Sequence, residues 1–314
     1  MLKFWVLCIL LFLSRYNSTP EKSGYLIINC QDGLSNRLRL LAGYMHVLDS
    51  IPAYTHLIMV WDINPACPGH FLQLFEPIHN VTFITSDEIH LFAPYALHIF
   101  PPSYKNFLEI LQYFHLHTSY NSPLHWHTIR KNMYSRYIPV PSVISAVGDF
   151  VYKYEICTSA GMHIRHTDLD IMLKHQRMKQ NLSRRIDEND YDFDIFVESL
   201  NSQTNVFLMT DNADTQRRYM RKYGSKIIVY ANLSDDFVDP MSRSSNAIVL
   251  TSAHTQSSPH QRHTTIFHTI VDVLIAAHCY TFKSTRSSSL SELVHLMNMT
   301  VAREYIPCNG ENMN

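Results

Sequence analysis

Hydrophobic residues along this chain follow two patterns, one typical of buried strands and the other of amphipathic helices. In the first half, three apolar runs of strand length occupy residues 25–30, 56–61 and 81–84. A helical repeat from Leu38 to Leu48 lies between the first two runs, and Ser35 or Asn36 is expected to cap it. Residues 91–137 are rich in aromatic residues and histidine without strict periodicity, so we expect helices and loops there.

The same alternation resumes after a stretch punctuated by Pro139 and Pro141, and residues 140–151 are expected to connect the two halves. Strands are predicted at residues 156–164, 205–209, 226–230 and 280–282. Helices are predicted at residues 190–201, 213–223, 264–278 and 291–297, with a loop at residues 284–289. Strands that alternate with helices indicate parallel sheets covered on both faces, so the pattern predicts an α/β protein.

Composition supports a globular protein and excludes one broad class of partner. The chain has 314 residues, of which 46% are hydrophobic and 17% charged, and its length favours two domains. The net charge of −1 gives no general electrostatic case for binding nucleic acid. Although 19 histidines are present, no helical pair of them comes with a third ligand, so we expect no metal site.

The amino terminus has the pattern of a targeting signal. Lys3 precedes an uninterrupted apolar run at residues 4–13, and Arg15 follows it. This run has the length of a signal-peptide core and is shorter than the ~20 residues that span a bilayer. No clean small-residue cleavage site follows, so residues 1–20 are interpreted as a signal peptide or as a short uncleaved signal anchor.

Glycosylation sequons and cysteines agree with a secretory destination. The sequons start at Asn17, Asn80, Asn181, Asn232 and Asn298. The cysteines are Cys8, Cys30, Cys67, Cys157, Cys279 and Cys308. Cys8 lies in the apolar signal, and the other five are compatible with disulfides in an oxidising lumen, although the sequence leaves their pairing open. We therefore predict a protein of the endoplasmic reticulum or Golgi lumen, or a secreted one.

The segment GLSNRLR at residues 33–39 joins the first strand to the first helix. A helix amino terminus offers free N–H groups to an anion or hydroxyl, and Asn36 and Arg37 add an amide and a cation in the first turn. A cation there opposes the helix dipole, and such local conflicts are typical of functional sites. The alternative is an ordinary capped helix with a solvated arginine.

The segment GMHIRHTD at residues 161–168 follows the first strand of the second half and contains His163, Arg165 and Asp168. Ligands of α/β proteins collect at the carboxyl ends of strands, and the planar, always charged guanidinium of Arg165 suits a diphosphate. The alternative is a surface loop with an arginine–aspartate ion pair.

Two further segments have candidate binding residues. Asp211 ends the strand at residues 205–209 and is placed to bind a ribose or a base, or simply to cap the next helix. Residues 286–289, with sequence RSSS, are placed to grip phosphates or to form a plain polar loop. Asp272 is a lone acid on an otherwise apolar helix.

In this order, these segments resemble one enzyme superfamily. The set comprises GLSNRLR, VWDINPAC with FLQLFEP at residues 60–77, GMHIRHTD, FLMTDN and IVDVLIAAHCYTFKSTRSSSLSELV. It resembles the GT-B fucosyltransferases with an H-x-R-R-x-D motif, the α1,6/α1,2/protein O-fucosyltransferase superfamily, over residues 24–294. The resemblance implies two Rossmann-like domains facing each other across a cleft, an acceptor-side domain at residues 24–150 and a nucleotide-sugar domain at residues 151–305.

The resemblance also implies roles for the site residues. Arg165, Asn36 and Arg37 would be catalytic, with Arg165 on the β-phosphate of GDP-fucose. The donor-binding residues would be His163, Arg165, Asp168, Asp211, Asp272, Ser287 and Ser288. Asp211 would lie near the nucleoside, Asp272 near the guanosine, and Ser287 and Ser288 at the phosphates. The second arginine of the motif is His166 here, which removes one cation from the diphosphate.

The function predicted in this way is that of an inverting fucosyltransferase, a hexosyltransferase that uses GDP-fucose, a glycan or glycoprotein acceptor and no metal cofactor. Asp32 and Asp62 are candidates for the base that deprotonates the acceptor hydroxyl. The alternatives are a GT-B enzyme that uses another nucleotide sugar, and an inactive carbohydrate-binding protein of the same fold. No nucleic acid partner is expected, and a membrane partner only through an uncleaved amino-terminal segment.

Overall fold

Two four-stranded parallel sheets, one in each half of the chain, form the framework of the protein. The computed structural model describes residues 24–64, 66–100, 107–114, 116, 123–165, 188–233, 264–285 and 288–308. Over these residues, no helix combines the length and the apolar character that crossing a bilayer requires. The predicted signal or anchor at residues 1–20 lies outside the described residues and stays a prediction.

The first sheet has one strand more than the sequence pattern predicts. Its strands are β1 (Gly24–Asn29), β2 (Tyr54–Val60), β3 (Val81–Ile84) and β4 (Ala96–Ile99), in the order β3-β2-β1-β4. Strand β4 lies at the edge of the sheet, where Leu97 and Ile99 are exposed. Because an edge strand needs no continuous apolar run, its short sequence gives little signal.

The second sheet is more completely buried. Its strands are β5 (Ala160–Ile164), β6 (Val206–Thr210), β7 (Ile227–Ile228) and β8 (Thr281–Ser284), in the order β7-β6-β5-β8. Every residue of β5 and β6 is buried, as expected for parallel strands covered on both faces. The prediction of one strand over residues 156–164 is wrong at its start, because Glu155 has a φ of 49° and Ile156–Thr158 form a 3-10 turn.

Ten helices are described, and five of them lie where the periodicity predicts a helix. They are α1 (Leu34–Ser50), α2 (Ile89–Phe92), α3 (Phe107–Tyr113), α4 (Pro123–Tyr134), α5 (Pro141–Lys153), α6 (Glu188–Ser199), α7 (Ala213–Tyr223), α8 (Ile266–His278), α9 (Ser289–Asn298) and α10 (Val301–Tyr305). The cap predicted for α1 is wrong: Gly33 occupies the N-cap and no side chain caps the helix. Asn212 caps α7 through a 2.8 Å bond from the Thr215 N–H to its side-chain oxygen.

The segment predicted to connect the halves is helix α5. Pro141 occupies its first turn, where the missing N–H costs nothing, and Val143, Val147 and Phe150 are buried along one face. The predicted domain boundary, between residues 150 and 151, therefore falls inside this helix. The division into two domains remains a prediction.

Helix α8 joins the two halves through a shared core. Of its thirteen residues, ten are buried, including the entire run from Ile270 to His278. It packs against α5, α9 and α10, and one hydrophobic cluster runs from Leu26 of the first sheet through these helices to Phe207 of the second. Smaller clusters cover the other face of each sheet. A helix that is apolar all round belongs inside a protein, so α8 holds the halves together.

One disulfide joins Cys157, just before β5, to Cys308, after α10, across a sequence separation of 151 residues. The other described cysteines, Cys30, Cys67 and Cys279, are buried thiols that form no disulfide with a described residue. The bond therefore closes nearly the whole second half into a loop. In the chain-entropy account, a loop of this size restricts the unfolded state strongly.

We predict that the double substitution Cys157→Ser/Cys308→Ser lowers the free energy of unfolding by about 2–5 kcal/mol. Guanidinium denaturation with and without dithiothreitol measures the change. Reduced wild type should match the variant, and the variant should not respond to the reductant. Equal stability of the variant and oxidised wild type would contradict a bond that restrains the second half.

Candidate functional site

The carboxyl ends of β1 and β2 are joined by Arg37, which is fully buried. Its Nε donates to the carbonyl of Asp32 at 2.7 Å and its Nη1 to the carbonyl of Asp62 at 2.8 Å. The guanidinium lies over the Trp61 ring, 4.9 Å from the centroid. Arg37 is thus neither a solvated cation nor an open cleft residue: it holds two strand-end loops together.

One donor of this arginine remains unused. The Nη2 of Arg37 is buried and has no hydrogen-bond partner among the described residues. An unsatisfied buried donor on a cation is costly, and such groups are retained where a site needs them. Asn36, one residue earlier, is half-buried in the first turn of α1, where its backbone N–H bonds to Gly33. The predicted catalytic roles of Asn36 and Arg37 stay predictions.

The two candidate bases differ in their surroundings. Asp62 accepts from Gln31 Nε2 at 2.8 Å and from the backbone N–H of Ser86 at 2.7 Å, so both of its carboxylate oxygens hold neighbouring loops. Among the described residues, the Asp32 carboxylate has a weak thiol contact, with 3.9 Å between Cys30 Sγ and Asp32 Oδ2. Burial raises the pKa of Cys30 to about 11, so this thiol stays protonated. Of the two carboxylates, Asp32 has the oxygens that are less engaged.

In the second half, His163 lies near the end of β5 with its side chain buried. Its Nδ1 is 2.9 Å from the Ser291 hydroxyl on α9. Burial lowers the pKa of His163 to about 4; the nearby Asp211 carboxylate opposes this shift and the Arg165 cation adds to it. The imidazole is therefore neutral at physiological pH and serves as a hydrogen-bonding group, not as a cation.

Arg165 and Asp211 follow neighbouring strands at the carboxyl end of this sheet. Ile164 and Thr210 are paired residues on β5 and β6, and each of the two candidate residues directly follows one of them. Thr285 fixes the backbone here: its N–H donates to the His163 carbonyl at 3.0 Å, and its hydroxyl accepts from the Arg165 N–H at 3.1 Å. The predicted cation and carboxylate are thus brought together.

The amino terminus of α9 opens into a cavity between the two halves. Ser288 is the N-cap of this helix, is 6% exposed, and has a hydroxyl without a hydrogen-bond partner among the described residues. The cavity has a volume of about 880 Å³ and is lined by Ser284, Thr285, Ser288, Ser291 and Glu292 from the second half and by Arg39, His127 and Arg130 from the first. A helix amino terminus with an unused hydroxyl favours an anion.

Sequence reasoning assigned no role to Arg39 or Arg130. Arg39 stands within the GLSNRLR segment, but its direction on the helix shows only in the structure. Arg130 lies in a region without clear periodicity, where no sequence signal pointed to it. Both enter the site because α1 and α4 of the first half lie against α9 of the second.

Asp272 lies on α8, away from the residues that line this cavity. It is buried, and burial raises the pKa of its carboxyl well above the usual range. Tyr230, just after β7, is close enough for the Asp272 charge to raise the pKa of its phenol, after the larger effect of burial. A buried carboxyl whose pKa is raised thus lies near the phenol of Tyr230.

Two predicted site residues, Asp168 and Ser287, lie outside the described residues, so their predicted roles stay predictions. His166, which replaces the second arginine of the motif, lies outside them as well. Within the described ranges, no group of three or more histidine, cysteine, aspartate or glutamate side chains is arranged to hold a metal ion. The expectation of a metal-free site likewise stays a prediction.

Solved structures share this architecture. The fucosyltransferase NodZ from Bradyrhizobium matches with a TM-score of 0.50 at 14% identity, over 92% of this chain and 95% of that one. The NodZ α1,6-fucosyltransferase co-crystallised with GDP gives a TM-score of 0.50 at 15% identity, over 92% and 94%. The chain has a GT-B fold of the fucosyltransferase type. The predicted fold class is confirmed.

One further solved structure matches with a lower score. POFUT1 in complex with GDP matches over 92% of this chain and 98% of that one, with a TM-score of 0.47 at 11% identity. No protein-family model and no curated protein sequence matches the chain. The structural matches therefore establish the fold, and the site residues must carry the argument for function.

We predict that His163→Asn removes part of the acid sensitivity of this GT-B fold. Because the folded-state pKa of about 4 lies below the usual 6.5, the unfolded chain takes up a proton at pH 5 that the folded protein refuses. Wild type should therefore lose about 2 kcal/mol more than the variant between pH 7.5 and pH 5. Urea denaturation at both pH values measures this difference.

The matched control is His295→Asn, because His295 is exposed on the same helix that bonds His163. This control should keep the full wild-type dependence on pH. If His163→Asn and wild type lose the same stability on acidification, His163 is not held neutral by burial.

Proposed function

We propose that this protein is a glycosyltransferase that transfers fucose from GDP-fucose to a glycan or glycoprotein, with inversion at the sugar. The observation that carries the proposal is Ser288, the N-cap of α9: it lines a cavity between the halves, and its buried hydroxyl has no hydrogen-bond partner among the described residues. A diphosphate supplies the acceptors that this terminus lacks. NodZ, which has this fold and a crystal form with GDP, supports the same donor class.

The reaction assigns a role to Arg165, at the carboxyl end of the second sheet. The acceptor oxygen attacks the anomeric carbon of fucose while the bond from that carbon to the β-phosphate oxygen breaks. Its electron pair stays on GDP, so negative charge grows on the β-phosphate. The fixed guanidinium of Arg165 is suited to stabilise that charge, and the hydroxyl of Ser288 to bond the same phosphate.

The acceptor hydroxyl must lose its proton to a base, and we assign that base to the first half of the chain. Asp32 fits this role better than Asp62, since both oxygens of Asp62 already accept hydrogen bonds that hold Gln31 and Ser86. Arg37 then acts as a positioning residue: by binding the carbonyls of both aspartates, it fixes the loops that present them.

Guanine recognition is proposed for Asp272. Guanine presents two adjacent donors, the ring N1–H and the exocyclic amino group, and a carboxylate can accept from both. Burial raises the pKa of the Asp272 carboxyl well above its usual range, and the two guanine donors would favour the ionised form and oppose that shift. Tyr230 supplies an aromatic surface beside it. A guanine-specific pocket would thereby distinguish GDP-sugars from UDP-sugars.

The decisive experiment is a thermal-shift titration with GDP, GDP-fucose, GDP-mannose and UDP. We expect GDP and GDP-fucose to stabilise the protein, with about 2.7 kcal/mol gained at a hundredfold excess over Kd. Arg165→Ala should lose this stabilisation. Arg136→Ala is the control, because the Arg136 side chain pairs with Asp49 on the surface of the first half.

Each other result of the titration would support one of the alternative functions. Stabilisation by GDP-mannose or UDP, but not by GDP-fucose, would indicate a GT-B enzyme with a different nucleotide sugar. No response to any nucleotide would reject a donor site and favour a carbohydrate-binding protein of the same fold. Binding of GDP-fucose without turnover of any acceptor would indicate an inactive relative, with His166 as the first residue to restore to arginine.

A lumenal or secreted location is part of the proposal, and two sequons offer a test of it. Asn80 is exposed in a turn before β3, at the end of the sheet opposite the site. Asn298 is half-buried at the end of α9, where its amide donates to the Ala277 carbonyl and the hydroxyl of Thr300 donates to Leu296 at 2.8 Å. The fold leaves room for a glycan on Asn80 and none on Asn298.

We therefore predict that the full chain, expressed in animal cells, has an N-glycan at Asn80 and none at Asn298. Digestion with an N-glycosidase, followed by gel electrophoresis and mass spectrometry, measures this. Asn80→Gln should lose one glycan, whereas the control Asn298→Gln should leave the pattern unchanged. A chain without any N-glycan would argue against passage through the lumen.

A further inference from the structure

An ion triad connects the two halves beside the proposed phosphate site. Glu292, in the first turn of α9, accepts from Arg39 Nη2 at 2.7 Å and from Arg130 Nη1 at 2.8 Å. Arg39 comes from α1 and Arg130 from α4, so both arginines belong to the first half. All three side chains line the cavity between the halves.

The position of Glu292 on its helix makes it a competitor for any anion bound there. Its backbone N–H donates to the carbonyl of Ser288 at 3.3 Å, so Glu292 lies one helical turn from Ser288, whose hydroxyl has no hydrogen-bond partner among the described residues. An anion bound at this helix terminus and the carboxylate of Glu292 would repel each other.

We propose that Arg39 and Arg130 bind the diphosphate of the donor across the cavity, and that Glu292 holds them in place until the donor displaces it. A diphosphate has more charge and more oxygens than one carboxylate, and each guanidinium can bond it with two donors. The donor then bridges the two halves. This inference rests on the proposed function, since it assigns further residues to the same donor site.

The exposure of the three side chains favours exchange of Glu292 for a bound anion over a purely structural ion bridge. The side chain of Arg39 is 18% exposed, whereas Arg130 and Glu292 are 37% and 33% exposed. Exposed ion pairs contribute little to stability, about 0–1 kcal/mol, so the Arg130–Glu292 pair is easily given up. Arg39 is better shielded from water, which strengthens its attraction for whichever anion reaches it.

The test is isothermal titration of GDP and of guanosine into wild type, Arg39→Gln and Glu292→Gln. Arg39→Gln should raise the Kd for GDP about tenfold or more and change the Kd for guanosine by less than about twofold. Glu292→Gln should lower the Kd for GDP by about threefold or more, because it removes the competing carboxylate. Guanosine lacks the diphosphate and so reports on the base pocket alone.

The opposite signs of the two effects are the central readout. If the triad merely held the halves together, removal of either partner would break the same bridge, and both variants would change GDP binding in the same direction. That result would overturn the proposal. So would an unchanged Kd for GDP in Arg39→Gln when wild type binds GDP normally.

Two further variants control for poor folding of Arg39→Gln and for the loss of a surface arginine. Arg130→Gln removes the more exposed arginine and should weaken GDP binding in the same sense, even if Arg39→Gln folds poorly. Arg136→Gln removes a similarly exposed arginine paired with Asp49 outside the cavity and should leave both constants unchanged. Failure of wild type to bind GDP would reject the proposed function itself, and with it this inference.

Discussion

The structure depends on the packing of α8 between the two halves. A helix buried over nearly its whole surface cannot shift without exposing apolar area, and here it shares one hydrophobic cluster with α5, α9 and both sheets. Each buried aliphatic side chain adds roughly 1.5–3 kcal/mol relative to exposure, so the arrangement resists separation. The cavity between the halves is consequently a fixed feature of the fold, and the polar groups on its walls keep their relative positions.

Buried polar groups at the site lower the stability of the fold, so their presence calls for a functional reason. Three polar groups are kept away from water here: Arg37 Nη2, which has no hydrogen-bond partner among the described residues, the imidazole of His163 and the carboxyl of Asp272. A core built for stability alone would place apolar side chains there. Arg37 and His163 lie near the carboxyl ends of strands, where ligands of α/β proteins bind, which is consistent with the proposed nucleotide.

Sequence patterns predicted the two sheets and the positions of Arg165 and Asp211, because short apolar runs that end in polar residues identify strand ends directly. They missed β4, whose residues alternate between half-buried and exposed at a sheet edge. They also misjudged Arg37: a cation in the first turn of a helix looks solvated on the sequence, and only the loops that fold over it bury it. The pairing of Arg39 with Glu292 joins residues far apart in the chain, and no local pattern contains that information.

The charges that remain at the site point toward one kind of ligand. The cavity is lined by Arg39, Arg130 and Glu292, and Arg165 directly follows the adjoining strand β5. Burial lowers the pKa of His163 to about 4, so the imidazole adds no cation there. Glu292 is satisfied by two of those arginines, so a second anion can enter without leaving a carboxylate unpaired in the free protein. This arrangement suits a ligand that is negatively charged when it binds and gains further negative charge in the reaction. Departing GDP has this property, and a neutral sugar alone does not.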